Sequence, residues 1–202
     1  MDAPVGLILA GGLSRRMGGG DKALRPLGGE AILARIVRRI APQVSEVLLN
    51  ANGPAERFGL DLPVVPDSLS DTPGPLAGIL AGLGHVAAAF PAARYLLTVP
   101  ADCPFLPADL AARLTEAAEK AGAAYAASDG RAHPVVGLWP VEAREELRRL
   151  LADGERRVDR WTEHLGALAV EWPAAPFDPF FNVNTPDDLA EAERLLAAYP
   201  AL

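Results

Sequence analysis

The feature that most restricts this chain is an apolar run that ends abruptly in a charged glycine loop. Val5 to Ala10 is apolar throughout, and a short run of that kind reads as a strand buried on both faces. Residues 11 to 22 then hold five glycines, two arginines and a lysine. Glycine lacks the Cβ that blocks close approach, so such a loop can turn many backbone N–H groups toward one anion. Arg15, Arg16 and Lys22 add positive charge beside those donors. A loop of this make-up at the end of a first strand suits a phosphorylated nucleotide. A plain surface loop would need neither the charge nor the abrupt entry.

Two common phosphate motifs are absent. The loop has no G-x-x-x-x-G-K-[ST] and no G-x-G-x-x-G, which excludes a Walker A loop and the dinucleotide fingerprint. What stands there is L-A-G-G-x-S-x-R-M-G-x-x-D-K, from Leu9 to Lys22.

The 202 residues suit one domain with a sizeable core. A net charge of −7 argues against broad nucleic-acid or anionic-membrane binding and confines phosphate binding to a local site. Cys103 is the only cysteine, so no internal disulfide can form and a reducing compartment fits. With no signal-peptide pattern and no spanning apolar run, the chain reads as cytoplasmic. Lysine occurs only at 22 and 120, and the four asparagines form two Asn-x-Asn pairs, 50/52 and 182/184. Where a residue type is scarce, the places that keep it are informative.

Taken in order, Glu30 to Ala41 repeats apolar residues at helical spacing, and Pro42 ends it. Val44 to Asn50 reads as a second strand whose polar end, Asn50-Ala51-Asn52, would lie beside the first strand's loop. Asn50 is the functional candidate, whereas Asn52-Gly53 also suits a plain turn. A short strand over 62–66 leads to Asp67-Ser68, and a helix over 76–89 starts with Gly74-Pro75. Gly78 and Gly82 could let a base or ribose approach, or could serve helix packing. Tyr95 to Val99, the most hydrophobic strand, is expected at the sheet centre and ends in Pro100-Ala101-Asp102. A carboxylate there is where Mg²⁺ is expected; the competing role, capping the helix that begins near Pro107, suits Asp109 better. Cys103 reads as a packed small hydrophobe. Runs 123–127 and 133–139, joined by Ser-Asp-Gly-Arg-Ala, suggest a hairpin, with His133-Pro134 read as structural. A helix over 141–152 follows, then Gly154-Glu155-Arg156-Arg157 before another helix. Two cations at a helix start suggest an anion partner or simply solvated charge. Gly166 to Trp172 reads as a strand. In a strand-like Asn182-Val183-Asn184, both amides share one face. Thr185, Pro186 and Asp188 form a capping box for the last helix.

The Leu9 to Lys22 motif closely resembles the signature of nucleotidyltransferases that activate sugars and cofactors, above all the molybdenum cofactor guanylyltransferases. The resemblance continues through Asn50-Ala51-Asn52, Asp67-Ser68, Gly74-Pro75-Leu76-Ala77-Gly78, Pro100-Ala101-Asp102, Gly154-Glu155-Arg156-Arg157 and Asn182-Val183-Asn184-Thr185-Pro186. It implies transfer of GMP from GTP to molybdenum-bound molybdopterin, with release of pyrophosphate and with Mg²⁺ as cofactor. It implies nucleotide contacts at Leu9, Ala10, Gly11, Gly12, Lys22, Asn50, Asp67, Gly78 and Asp102. Lys22, Arg16 and Asp102 would be catalytic, and Asp102 would hold the metal. Arg156, Asn182 and Asn184 would serve the pterin acceptor. Other molybdenum cofactor biosynthesis proteins and molybdoenzyme chaperones are the implied protein partners. Ala101 departs from the family, where cysteine often precedes this aspartate. A relative using CTP or a sugar phosphate is the nearest alternative, although such enzymes usually begin with Ala-Ala-Gly. A silent nucleotide sensor is the other, opposed by the joint presence of Lys22 and Asp102.

The alternation of strand and helix together with this resemblance gives a three-layer α/β, Rossmann-like nucleotidyltransferase fold. The sheet should be mostly parallel with a small antiparallel element. One domain, 1–202, is expected, with 1–105 serving the nucleotide and 106–202 the acceptor.

Overall fold

A computed structural model describes residues 3–10, 22–68 and 74–199. The chain runs β1 (Val5–Leu9), β2 (Pro26–Leu27), β3 (Glu30–Ala31), α1 (Ile32–Ile40), β4 (Glu46–Asn50), β5 (Val64–Val65) and α2 (Pro75–Ala89). It continues with β6 (Tyr95–Pro100), α3 (Leu110–Ala121), β7 (Ala124–Ser128), β8 (Arg131–Pro140), α4 (Arg144–Ala152), α5 (Val158–Leu165), β9 (Leu168–Trp172) and α6 (Pro186–Ala198). The sequence reading missed the β2–β3 pair, a separate two-stranded antiparallel sheet. Two-residue strands carry no periodicity to detect.

Seven strands form one sheet in the order β5-β4-β1-β6-β8-β7-β9. Pairs β4–β5, β1–β4, β1–β6 and β7–β9 are parallel, and β8 runs antiparallel to both its neighbours. The expected mostly parallel sheet is thus present, with β6 at its centre. One apolar cluster on the first face includes Ile32 and Ile36 of α1, Leu110 and Leu114 of α3 and Ala192 of α6. A second cluster gathers Leu76 and Leu80 of α2, Leu147 of α4 and Trp161 of α5. A helical layer on each face gives three layers. Among the described residues, no helix is long and apolar enough to cross a membrane.

Local chemistry explains the details that matter for the site. Helix α2 lies close on the sheet because Gly82 has no side chain: a Cβ there would stand 2.9 Å from Leu96 Cδ2. The β7–β8 turn is shorter than expected. Asp129 and Gly130 alone make it, with φ of 48° and 74°, the two left-handed residues that match strand twist in a tight hairpin. Helix α3 starts at Leu110 rather than near Pro107. Asp109 occupies its N-cap position without capping; its Oδ1 instead accepts from Trp172 Nε1 at 2.9 Å. The Thr185–Asp188 capping box of α6 is present with both reciprocal bonds. Helix α6 packs back on β2, and Gly28 N–H donates to Glu193 Oε1 at 2.9 Å.

Candidate active site

The parallel strands β4, β1 and β6 end side by side. Ala10 N–H donates to Asn50 O at 2.9 Å, and Ala101 N–H donates to Leu9 O at 3.1 Å. The exit of β1 is therefore held between those of β4 and β6. Because β4 and β6 were added on opposite sides of β1, the strand order reverses here, and α/β sheets open a ligand crevice at such a point. Leu9 and Ala10 enter the glycine loop from this place. Gly11, Gly12 and Arg16 lie outside the described residues.

The loop returns at Lys22. Its Nζ donates to Asp102 Oδ2 at 2.6 Å and to Asn184 Oδ1 at 2.6 Å. Asp102 stands just past β6, so the cation from the first loop meets the carboxylate of the central strand. Asp102 Oδ1 accepts from Asn182 Nδ2 at 2.9 Å, and Asp102 O accepts from Val183 N–H at 2.9 Å. Val183 is wholly buried. Burying such a side chain favours this orientation by roughly 1.5–3 kcal/mol, which turns the two flanking amides toward the ion pair. The Lys22 and Asp102 side chains remain 21% and 17% exposed, so phosphate can reach them.

A second cluster forms on the β4 side. Asn50 Nδ2 donates to Val65 O at 3.0 Å and to Asp67 Oδ1 at 2.9 Å. Asn52 Nδ2 donates to Asp67 Oδ2 at 2.8 Å, and Asp67 N–H donates back to Asn52 Oδ1 at 3.0 Å. Both Asp67 oxygens are thus fixed. Gly53 turns the chain with φ of 93°, so the turn and the side-chain role occur together. For Gly78, the packing alternative describes the contacts. A Cβ there would overlap the Asn50 amide and stand 2.8 Å from Leu9 Cδ2. The space is filled by the two side chains that border the crevice.

The acceptor-side candidates separate. Asn182 and Asn184 reach the Lys22–Asp102 pair itself. Arg156 stands elsewhere, its carbonyl oxygen 3.9 Å from where a Cβ on Gly74 would be, at the start of α2. Its Nη1 donates to Leu151 O at 2.8 Å and to Glu155 O at 2.7 Å. Leu151 lies in the last turn of α4, where a cation is favourable. Arg157 pairs with Asp159, and Glu155 accepts from the Arg156 and Arg157 N–H groups at 2.8 and 2.9 Å. Those backbone bonds hold the Glu155 carboxyl below its ordinary range. The unfavourable charge at this helix start is therefore balanced locally.

Cys103 is buried, and burial, followed by the nearby Asp102 and Asp178 charges, pushes its thiol well above the ordinary range. It is a packed thiol, not a nucleophile. Ser128, His133 and Asp178 form a further polar cluster that sequence reasoning did not find. Ser128 and Asp178 are 50 positions apart, and no motif joins them. Among the described residues, no group of three or more His, Cys, Asp or Glu side chains could hold a metal; Asp102 is a lone carboxylate among amides.

A mostly parallel sheet in which a lysine following the first strand meets the carboxylate of the central strand defines an α/β nucleotidyltransferase. The chain belongs to the family of the MobA-like NTP transferase domain, which matches residues 6–168. It is 55% identical over 193 residues to the molybdenum cofactor guanylyltransferase of Rhodopseudomonas palustris, covering 94% of this chain and 92% of the relative. It is 56% identical over 196 residues to the enzyme of that name from a Bradyrhizobium strain, covering 95% and 92%. The crystal structure of molybdopterin-guanine dinucleotide biosynthesis protein A from Archaeoglobus fulgidus superposes with a TM-score of 0.74. That protein is 27% identical, and the match covers 96% of this chain and 99% of the other.

Proposed function

We propose that this protein transfers GMP from GTP to the terminal phosphate of molybdenum-bound molybdopterin and releases pyrophosphate. The observation that carries the reading is the Lys22–Asp102 pair at the crevice, bracketed by Asn182 and Asn184. The full-length likeness to molybdenum cofactor guanylyltransferases supplies the substrates. It disfavours the cytidylyltransferase alternative, as does the Leu-Ala-Gly-Gly start.

The chemistry needs few groups. An oxygen of the acceptor phosphate bonds to the α-phosphorus of GTP, the bond from that phosphorus to the α–β bridging oxygen breaks, and its electron pair leaves with pyrophosphate. A phosphate is already ionised, so no side chain has to remove a proton. The protein must align the two reactants and stabilise charge. In this reading, loop amides at Gly11 and Gly12 hold phosphate oxygens, while Leu9, Ala10, Asn50, Asp67 and Gly78 border the nucleoside. Lys22 passes from Asp102 to the triphosphate, and with Arg16 it stabilises the departing pyrophosphate. Arg156 uses only Nη1 among the described contacts, which leaves Nε and Nη2 for an acceptor phosphate.

The donor set fits a divalent cation such as Mg²⁺, which takes one or two carboxylates and completes its shell with water and phosphate oxygens. Asp102 would hold it, with the Asn182 amide beside it. When bound, such an ion would supply positive charge against the negative charge that develops on the phosphates. Asn182 and Asn184 in this arrangement hold Asp102 and Lys22, and so link the acceptor side to the nucleotide side.

The test is release of pyrophosphate from each of the four ribonucleoside triphosphates, with and without molybdenum-bound molybdopterin. Release that requires both GTP and the pterin is expected. Equal release with CTP, or none with any nucleotide, would overturn the assignment.

A further inference from the structure

The Ser128–His133–Asp178 cluster lies beside the site but outside the chemistry described so far. Ser128 ends β7 and is 2% exposed. His133, across the hairpin on β8, places Nε2 2.7 Å from Ser128 Oγ. Ser128 Oγ also lies 2.9 Å from Asp178 Oδ1. A serine has one hydroxyl proton. That proton goes to the Asp178 carboxylate oxygen, which accepts it, so His133 must donate its Nε2–H to Ser128. The direction of each bond follows: imidazole to hydroxyl to carboxylate.

A hydrolytic triad is excluded by the same geometry. There, a carboxylate orients the imidazole through Nδ1 while Nε2 takes the serine proton. Here the serine and the carboxylate both face Nε2, the latter at 3.9 Å, and the hydroxyl is buried.

The chain of bonds does not stop at Asp178. Its Oδ1 also accepts from Phe180 N–H at 2.9 Å. The Phe180 ring, fully buried, lies 4.9 Å from the His133 ring and 5.4 Å from that of Trp172. Cys103 Sγ lies 3.6 Å from Phe180 O. Two residues further, Asn182 reaches Asp102 Oδ1. The segment 178–183 is therefore fixed at four points between the hairpin and Asp102.

We propose that Ser128, His133 and Asp178 are positioning residues that set Asn182 on Asp102, so that the hairpin β7–β8 fixes the geometry of the transfer centre. The proposal rests on the reading of Asp102 as that centre. It deepens that reading by assigning the segment's register to a buried relay.

The composition provides an unusually direct probe. Gln43, Asn50, Asn52, Asn182 and Asn184 are the only side-chain amides in the chain. A ¹⁵N spectrum of the whole protein therefore shows five NH₂ pairs, and Asn182→Ala identifies one of them. In Ser128→Ala, the Asn182 pair should shift or broaden while those of Asn50 and Asn52 stay in place. Asp178→Ala, at a partly exposed position, should do the same and carries the test if Ser128→Ala does not fold. Asp178→Asn keeps an oxygen acceptor and should recover at least half of the change.

In the transfer assay, Ser128→Ala should lower kcat about tenfold, the effect of one misplaced polar contact. KM for GTP should stay within about a factor of two, because the altered segment lies on the acceptor side. Ser128→Ala combined with Asn182→Ala should be no slower than Asn182→Ala alone, since both act through one contact. An unmoved Asn182 pair, or losses that multiply in the double variant, would overturn the proposal. If the unaltered protein does not transfer GMP, the functional reading fails and the spectrum alone decides the relay.

Discussion

Lys22 and Asp102 are 80 positions apart in the chain and meet at 2.6 Å. One ends the glycine loop that leaves β1 and the other follows β6, the neighbouring strand in the sheet. The pair closes the loop onto the centre of the sheet, and Asn184 and Asn182 hold one partner each from the far end of the chain. Each charge neutralises the other; in the proposed reaction Lys22 would turn to the triphosphate and Asp102 would hold the metal.

Asp102→Asn tests the carboxylate. The variant keeps a side-chain oxygen to accept from Asn182 Nδ2 and the backbone carbonyl that accepts from Val183 N–H, so it should fold with a melting temperature near that of the unaltered protein. Turnover should fall by about a hundredfold or more, since charge stabilisation by a bound metal contributes several kcal/mol to the barrier. Steady-state kinetics with circular-dichroism melting reads both. Turnover close to that of the unaltered protein would remove Asp102 from the mechanism.

Lys22 is a point charge shared between Asp102 and Asn184. Lys22→Ala should weaken transfer strongly and also leave Asp102 without its ion-pair partner. Lys22→Arg should recover only part of the rate, because a planar fork cannot place one donor on both acceptors as an ammonium does. Full recovery with arginine would mean that long-range charge suffices at this position.

Two glycines of α2 should respond oppositely to alanine. Gly78→Ala puts a methyl against the Asn50 amide and 2.8 Å from Leu9 Cδ2. Overpacking of that kind costs about 1–3 kcal/mol, and displacement of Asn50 should weaken GTP binding as well. Gly84→Ala meets nothing within 4 Å and should stabilise by about 0.5–1 kcal/mol, the helix preference for alanine over glycine. Urea unfolding of the two variants, with calorimetric titration of GTP, checks the contrast. Equal effects would mean that Gly78 is not constrained by Asn50.

His133 should make stability depend on pH. Burial lowers its pKa below the ordinary 6.5; Asp178 and Glu171 oppose this and Arg131 adds to it. The folded protein then binds fewer protons than the unfolded chain, so this stabilising contribution is complete above about pH 6.5 and is lost as pH falls through the lower folded value. Between about pH 7 and 5, the unfolding free energy should fall more steeply for the unaltered protein than for His133→Gln. Parallel slopes would show that His133 does not titrate differently on folding.

Much of this was readable from local signals. The apolar run of β1, the helical spacing of α1, the capping box at Thr185 and the Asp129-Gly130 turn each carry their own chemistry within a few residues. The place of Asp102 just past the central strand was legible because the apolar run of β6 ends there. The asparagines were found by their scarcity, and the alternation about Val183 gave their common face. Their partners were not legible. That Asn182 meets Asp102 and Asn184 meets Lys22 depends on how α6 folds back on β2, a contact between the two ends of the chain. The Asn52–Asp67 bonds were hidden because Asn-Gly is also a turn signal. Ser128, His133 and Asp178 look ordinary in sequence and become a network only when the hairpin meets the segment before α6.

The central claim is that the Lys22–Asp102 centre moves GMP from GTP onto a pterin phosphate. The direct measurement supplies GTP labelled at the α-phosphorus, Mg²⁺ and molybdenum-bound molybdopterin to the purified protein, and follows the label by chromatography and mass spectrometry. The expected result is label in a pterin–guanine dinucleotide, formed one-for-one with pyrophosphate and nearly lost in Asp102→Asn. Label that stays in GTP, appears as free GMP without the dinucleotide, or transfers equally well in Asp102→Asn would contradict it.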